Sequence, residues 1–215
     1  MQTAGMYRVA AFQLDDPAEV ATLVAERGFG TVVVSGAEGF EASPIPWLVD
    51  TDGGAMSLRG HVARGNPLVR SSDGGGQPAL VIVDVVDGYV SPSWYPSKSE
   101  HGRVVPTWNY ISIHLHGTLR LVDDPMWVRS VVQQLTDRHE AAMPRPWSVD
   151  DAPADYLDRM LAAIVGCEFT VERIEAKAKL SQNRPGDDAD GVIAGLRERP
   201  TGTQLAAAME RNRTR

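Results

Sequence analysis

A single cysteine, Cys167, stands among 215 residues. One thiol excludes a disulfide within the chain and fits a reducing compartment. It lies in "IVGCEFTV", an apolar strand-like run, and reads as an inert buried thiol rather than a nucleophile. Basic side chains are also short: 21 Lys and Arg face 28 Asp and Glu, leaving a net charge of −7. A chain so charged lacks the cationic face that neutralises phosphates, so specific DNA binding is not expected. The one basic cluster, "RNRTR" at the end, reads as a frayed tail. No apolar run is long enough to span a bilayer, and "MQTAGMYRVA" has no basic segment leading into an apolar one. The expectation is a cytoplasmic protein with no membrane partner.

With 43% apolar and 23% charged residues, the chain has an ordinary globular composition. "DDPAEVATLVAERG" predicts a first helix: Asp15 or Asp16 as cap, Pro17 in the first turn, Val20, Leu23 and Val24 at helical spacing, and Gly28 as stop. "GTVVVSG", "FEASPIPWLVD" and "AMSLRGH" follow, divided by the turn signals "GAEG" and "DTDGG", and predict an antiparallel meander. Pro44 and Pro46 cannot donate to a ladder, which makes the second strand an edge or irregular. "PALVIVDV" is a further strand, followed by the excursion "YVSPSWYPSKSEHGR". The longest strand, "VPTWNYISIHLHGTLRLV", alternates. Ile111, Ile113, Leu115, Leu119 and Leu121 share one face; Tyr110, Ser112, His114, His116, Thr118 and Arg120 share the other. Helices are predicted from about Met126 to His139 and over "DDAPADYLDRMLAAI". "CEFTVERIEAKAKL" is a final strand, and short helices fill the tail from about Ala189. Six or seven mostly antiparallel strands with flanking helices indicate a small barrel or curved sheet. The expected division is a cofactor-binding domain over 1–180 with inserted helices, and a helical extension over 181–215.

Several clusters could carry chemistry. In "LRGHVARGNP", Arg64 offers a forked guanidinium, Asn66 and backbone N–H groups add neutral donors, and Gly65 lets the backbone come close. His61 adds a donor for an anion or a nitrogen for a metal centre. An anion site and a capped turn fit this cluster equally. His114 and His116, two apart on a strand, could share a metal only if another ligand converged on them; a polar strand face is the simpler reading. "SPSWYPSK" is either a rigid lid over a flat ligand or a proline-stiffened loop packed on the barrel. Trp108 and Tyr110 share a strand face with Asn109 opposite, and such aromatics are more often core than platform. "KLSQNRPG" gathers Lys179, Ser181, Gln182, Asn183 and Arg184 at a strand end. These read as a solvated terminus, or as partners for a phosphate or the edge of a flavin ring.

Taken together, "MYRVAAF", "GHVARGNPLVR", "YVSPSWYPSK", "VPTWNYISIHLHG", "DDAPADYLDRMLAAIVG" and "KLSQNRP" resemble, in this order, the PaiB-type proteins. These are named FMN-binding negative transcriptional regulators. The resemblance runs from Met6 to about Met209. It implies a mainly β, pyridoxamine-phosphate-oxidase-like split barrel that forms a homodimer with cofactor sites at the subunit interface. It also implies that His61, Ala63, Arg64 and Asn66 line the phosphate side of FMN. Trp108, Asn109 and Tyr110 would lie near the ring, with Lys179, Gln182 and Arg184 approaching from the C-terminal run. Ser43-Pro44-Ile45-Pro46 stands where many relatives carry a His-containing "THLP" run, so any contact from that His is missing. No helix-turn-helix accompanies the regulator name.

A branch of the same family resembles haem-dependent piperazate synthases, which join two nitrogens of N5-hydroxyornithine. In that reading His61 is the axial iron ligand. Three functions therefore compete. The first is an FMN-binding oxidoreductase or flavin-dependent regulator of a small molecule that the sequence does not identify. The second is a haem enzyme acting on a small amino acid. The third is a non-enzymatic repressor. The catalytic residues are not legible. A homodimer is also expected from the polar face of the long strand, which is too rich in His and Ser for a core.

Overall fold

The computed structural model describes residues 5–7, 9–36, 39–51, 54–71 and 75–213. The chain is built from α1 (Pro17–Arg27), β1 (Phe29–Gly36), β2 (Gly39–Pro46), β3 (Leu48–Asp50), β4 (Ser57–Ala63), α2 (Pro67–Ser71) and β5 (Gln77–Val90). It continues through α3 (Ser97–His101), β6 (Thr107–Val122), α4 (Pro125–Glu140), α5 (Ala154–Ala162), β7 (Ile164–Lys179), α6 (Gly186–Arg197) and α7 (Thr203–Arg213). The seven strands form one sheet in the order β2-β1-β5-β6-β7-β4-β3.

This order corrects the expected meander. β1 and β2 are an antiparallel hairpin, with Gly36 opposite Gly39, and β3 and β4 are paired antiparallel, with Asp50 opposite Ser57. Yet β2 and β3 stand at opposite ends of the sheet although Trp47 alone separates them. Pro44 and Pro46 lack the N–H groups for a second ladder, so β2 is an edge, as their positions imply. The buried Trp47 turns the chain there and donates its N–H to the Gly28 carbonyl at 2.9 Å. One residue thus brings the two ends of the strand order together, which is how a sheet becomes a barrel.

The chain divides into two compact units. The larger comprises Pro17–Val83 and His114–Ile174. Its core contains Val32, Ile45, Leu58, Val81, Leu115, Leu119, Cys167 and Phe169. Outside the sheet, Val131 and Leu135 of α4 pack with Leu48, joined by Trp127. α4 begins where Asp124 accepts the N–H groups of Met126 and Trp127 at 2.8 and 3.3 Å, ahead of Pro125 at the first position. α5 stops at Ala162, and β7 starts already at Ile164, a β-branched residue that the sequence reading had placed in the helix.

The other unit comprises residues up to Asp16, Asp84–Ile113, and Glu175 onward. Val90, Tyr95, Ile111 and Ile113 are buried in it, with Val192, Leu196, Leu205 and Met209 from α6 and α7. The C-terminal run is not frayed over its described part: α7 extends to Arg213, whose guanidinium pairs with Asp190.

Alternation along β6 is as expected. Ile111, Ile113, Leu115 and Leu119 are buried, whereas Tyr110, Ser112, His114, His116 and Thr118 are half-buried. The polar face is answered by neighbouring carboxylates. Ser112 donates to Asp84 at 2.7 Å, Thr118 to Glu172 at 2.7 Å, and Arg120 pairs with Glu168.

Candidate functional site

The ten residues singled out from the sequence fall into two groups, one in each unit. His61, Ala63, Arg64 and Asn66 belong to the larger unit, and Trp108, Asn109, Tyr110, Lys179, Gln182 and Arg184 to the other.

In the larger unit, β4 ends at Ala63 and α2 begins at Pro67, so the stretch does open a helix, of about one turn. Asn66 caps it: its Oδ1 accepts the Leu68 N–H at 2.9 Å, and the Val69 N–H reaches its carbonyl at 3.0 Å. The Asn66 amide also exchanges hydrogen bonds with the Ser43 hydroxyl at 3.0–3.1 Å. Arg64 is held from behind. It grips Asp123 through two bonds of 2.9 and 2.7 Å, and reaches the Ala162 and Ile164 carbonyls at 3.0 and 3.3 Å. This pairing raises the guanidinium's affinity for its proton and lowers the carboxyl of Asp123. A second arginine, absent from the sequence reading, shares the turn: Arg70 donates to the Gly65 carbonyl at 3.2 Å. A side chain at Gly65 would meet open space, and Ala63, Arg64 and Gly65 are exposed. The turn is an open, cationic piece of backbone, which could receive an anion.

His61 differs from these exposed neighbours. It lies opposite Gly166 of β7, and a β-carbon on Gly166 would lie 2.3 Å from the Trp127 ring. Register partners project to the same side of an antiparallel pair, so His61 shares the face that Trp127 covers. Burial lowers the imidazole below its ordinary range, which keeps it neutral near pH 7. Its buried Nδ1 has no hydrogen-bond partner among the described residues. A neutral ring with an unsatisfied nitrogen can donate to a ligand or coordinate a metal.

In the other unit, "KLSQNR" forms a self-contained turn. Gln182 accepts the Leu180 N–H at 2.6 Å and donates to the Ala178 carbonyl at 2.5 Å. Ser181, at φ +66°, carries the chain through the left-handed region. The Lys179 ammonium donates to the Thr107 hydroxyl and to the Trp108 carbonyl at 2.6 Å. Burial, then Lys177 and Arg184, lower its pKa. The Arg184 guanidinium lies 4.8 Å from the centre of the Tyr95 ring. Asn109 is fully buried and donates to Ser181 Oγ at 2.8 Å and to Met209 Sδ at 3.4 Å, while its Oδ1 has no partner. Lys177, which the sequence reading passed over, is buried between the Tyr7 and Tyr110 rings and donates to the Tyr7 carbonyl at 3.1 Å. The lysine ends thus brace β6 and the N-terminal segment from within.

Trp108 and Tyr110 remain available. They line a cavity of about 340 Å³ with Asp84, Val86, Ile111 and Ser112, a size within the range of small-molecule sites. Trp108 is 53% exposed and meets the 39% exposed Tyr89 edge-on at 6.3 Å between centroids. The "SPSWYPSK" loop is not a lid over this surface. Trp94 packs on α6, where a β-carbon on Gly195 would lie 2.4 Å from its ring, and Ser97 is held by the buried Asp188 at 2.8 and 3.1 Å.

A family model described as "Putative FMN-binding domain" matches residues 6–173. A Bacillus subtilis relative named "Protease synthase and sporulation protein PAI 2" is 31% identical over 207 residues, 95% of this chain and 97% of its own. An uncharacterised protein of Emericella nidulans is 31% identical over 187 residues, 73% of this chain and 74% of its own. Among solved structures, the FAD and haem binding protein of Mycobacterium smegmatis superposes with a TM-score of 0.56 at 21% identity, covering 85% of this chain and 80% of that one. The flavocytochrome Anf3 of Azotobacter vinelandii also gives 0.56, at 14% identity, covering 86% and 75%. At such identities the fold is what is shared, and it is the split barrel expected from the sequence.

Proposed function

We propose, from the premise that this chain belongs to the PaiB-type FMN-binding family, that it is a flavoprotein acting on a small molecule. The observation that carries this reading is the aromatic wall of β6: Trp108, 53% exposed, and the half-buried Tyr110 line a cavity of about 340 Å³. An isoalloxazine ring needs such a flat, half-apolar surface. The open turn after β4 is taken separately, as a candidate anion-binding element of the larger unit. There Gly65 lets backbone N–H groups approach and Arg70 supplies charge, while Arg64, tied to Asp123, holds the turn in place. Ala63 and Asn66 shape this turn, with Asn66 acting through its cap on α2. Asn109, Lys179, Gln182 and Arg184 act as supports of the aromatic wall. Bound FMN would supply two-electron redox chemistry.

A haem reading is favoured by one specific observation: the neutral, half-buried His61, whose Nδ1 has no partner. The absorption spectrum of freshly purified protein separates the two, with a flavin doublet in the blue against a Soret band. Two variants add an independent ranking. For FMN, Arg64→Ala should weaken retention about tenfold by releasing the turn that its charge-assisted bonds to Asp123 hold, and His61→Ala should cost less. For haem the order reverses, because loss of an axial nitrogen abolishes the Soret band. Retention of either cofactor unchanged in both variants would remove the turn after β4 from the site.

A further inference from the structure

A second cavity in the smaller unit, of about 310 Å³, is lined by Asp87, Tyr89, Trp108, Arg199, Thr201 and Gly202. It shares Trp108 and Asp87 with the cavity assigned to the flavin. Two charges in it are unanswered. Among the described residues, neither the Arg199 guanidinium nor the Asp87 carboxylate has an ion pair or hydrogen bond. Other cations of the C-terminal region are engaged: Arg197 pairs with Glu210 at 2.6 Å, and Arg213 with Asp190. Arg199 and Asp87 also do not pair with each other, although one cavity holds both. Two opposite charges within one small pocket, left apart, can be bridged by a ligand that carries both signs. The same cavity is lined by an aromatic corner, the edge-on pair of Tyr89 and Trp108, whose faces accept a flat ring.

We propose that this cavity is a binding subsite for a small aromatic zwitterion, with its carboxylate on Arg199, its ammonium on Asp87 and its ring against Trp108 and Tyr89. The Thr201 hydroxyl, also without a partner among the described residues, lines the same cavity two positions after Arg199 and serves the carboxylate. Trp108 then separates the two cavities, and the zwitterion is the class of small molecule presented to the flavin. The subsite deepens the flavin reading and rests on it for that last step alone.

Calorimetric titration of the flavin-loaded protein with L-phenylalanine, phenylacetate and phenethylamine tests it. L-phenylalanine should bind once per chain and about tenfold or more tighter than either singly charged analogue, since each lost charged contact costs at least that factor. Arg199→Ala should bring L-phenylalanine down to the level of phenethylamine, and Asp87→Asn down to that of phenylacetate. Both side chains are exposed, so neither change threatens folding, and flavin absorbance reads cofactor retention in the same samples. Equal binding of the three probes, no saturable binding at millimolar concentration, or an affinity indifferent to both variants would each overturn the subsite. If the protein holds no flavin but the charge pattern persists, the subsite stands and the flavin reading falls.

Discussion

His61 is the residue whose chemistry is most affected by its surroundings. Burial lowers its pKa from the ordinary 6.5, whereas in the unfolded chain it titrates at that ordinary value. Between the two, the unfolded state binds more protons, so stability is fully present above 6.5 and is lost as pH falls towards the folded pKa. Denaturant unfolding from pH 8 to 5.5 should therefore show a decline below 6.5 that is missing from His61→Asn. A parallel decline in the variant would assign it to other histidines. Gly60, just before His61, has a separate cause: a β-carbon there would lie 2.7 Å from the Pro46 carbonyl oxygen and 2.8 Å from Ile45. The "GH" pair thus joins two demands at consecutive positions, a bare backbone facing the corner at Trp47 and a neutral imidazole facing the other way.

At the scale of elements, the loop after β5 and helix α6 are fitted to one another. Gly191 and Gly195 stand one turn apart on α6, and Trp94 occupies the space that side chains there would need. Alanine at 195 gains about 1 kcal/mol of helix propensity but overpacks a rigid indole, at a cost of about 1–3 kcal/mol. Gly195→Ala should lower stability, and in a Trp94→Ala background the same change should raise it. Equal effects in both backgrounds would dissociate the glycine from the tryptophan. This contact was not legible in the sequence, where two glycines in a polar tail look like flexibility. α1, β6 and α4 were legible because periodicity and caps are local: Pro17, Asp124 and the alternation from 109 to 119 each act within a few residues. The strand order was not, since nothing near Trp47 announces that its two neighbours belong to opposite ends of a sheet. The candidate site was legible by residue type and less so by role. Arg64 and Gln182 look like free ligand groups until Asp123, Leu180 and Ala178 are seen to engage them, and Arg70 and Lys177 gave no comparable signal.

For the whole molecule, Val105, 63% exposed in the smaller unit, is an apolar side chain of the kind that association covers. A homodimer is the expected state, and sedimentation at micromolar concentration should give about twice the 23.3 kDa of one chain. Val105→Asp should shift that population towards the monomer; a wild-type species of one chain mass would end the dimer reading. The charge of −7 gives no support to a repressor that grips DNA by its phosphates. A regulatory role for such a chain would run through its ligand or another protein. No helix in the described residues is long and apolar enough to cross a membrane.

Cys167 lies in the ladder between β4 and β7, directly opposite Gly60. The two strands that meet there come from segments about a hundred residues apart, and pairings so distant in sequence form late and slowly. Once the ladder is shut the thiol is buried and its pKa is pushed up to about 12, so it is unreactive. Before that it is an ordinary cysteine. The lone thiol therefore acts as a clock for closure of the barrel: pulses of a thiol reagent during refolding should label the chain until β4 docks on β7 and not afterwards. Protection that appeared with the first burst of secondary structure would show instead that this seam is where folding begins.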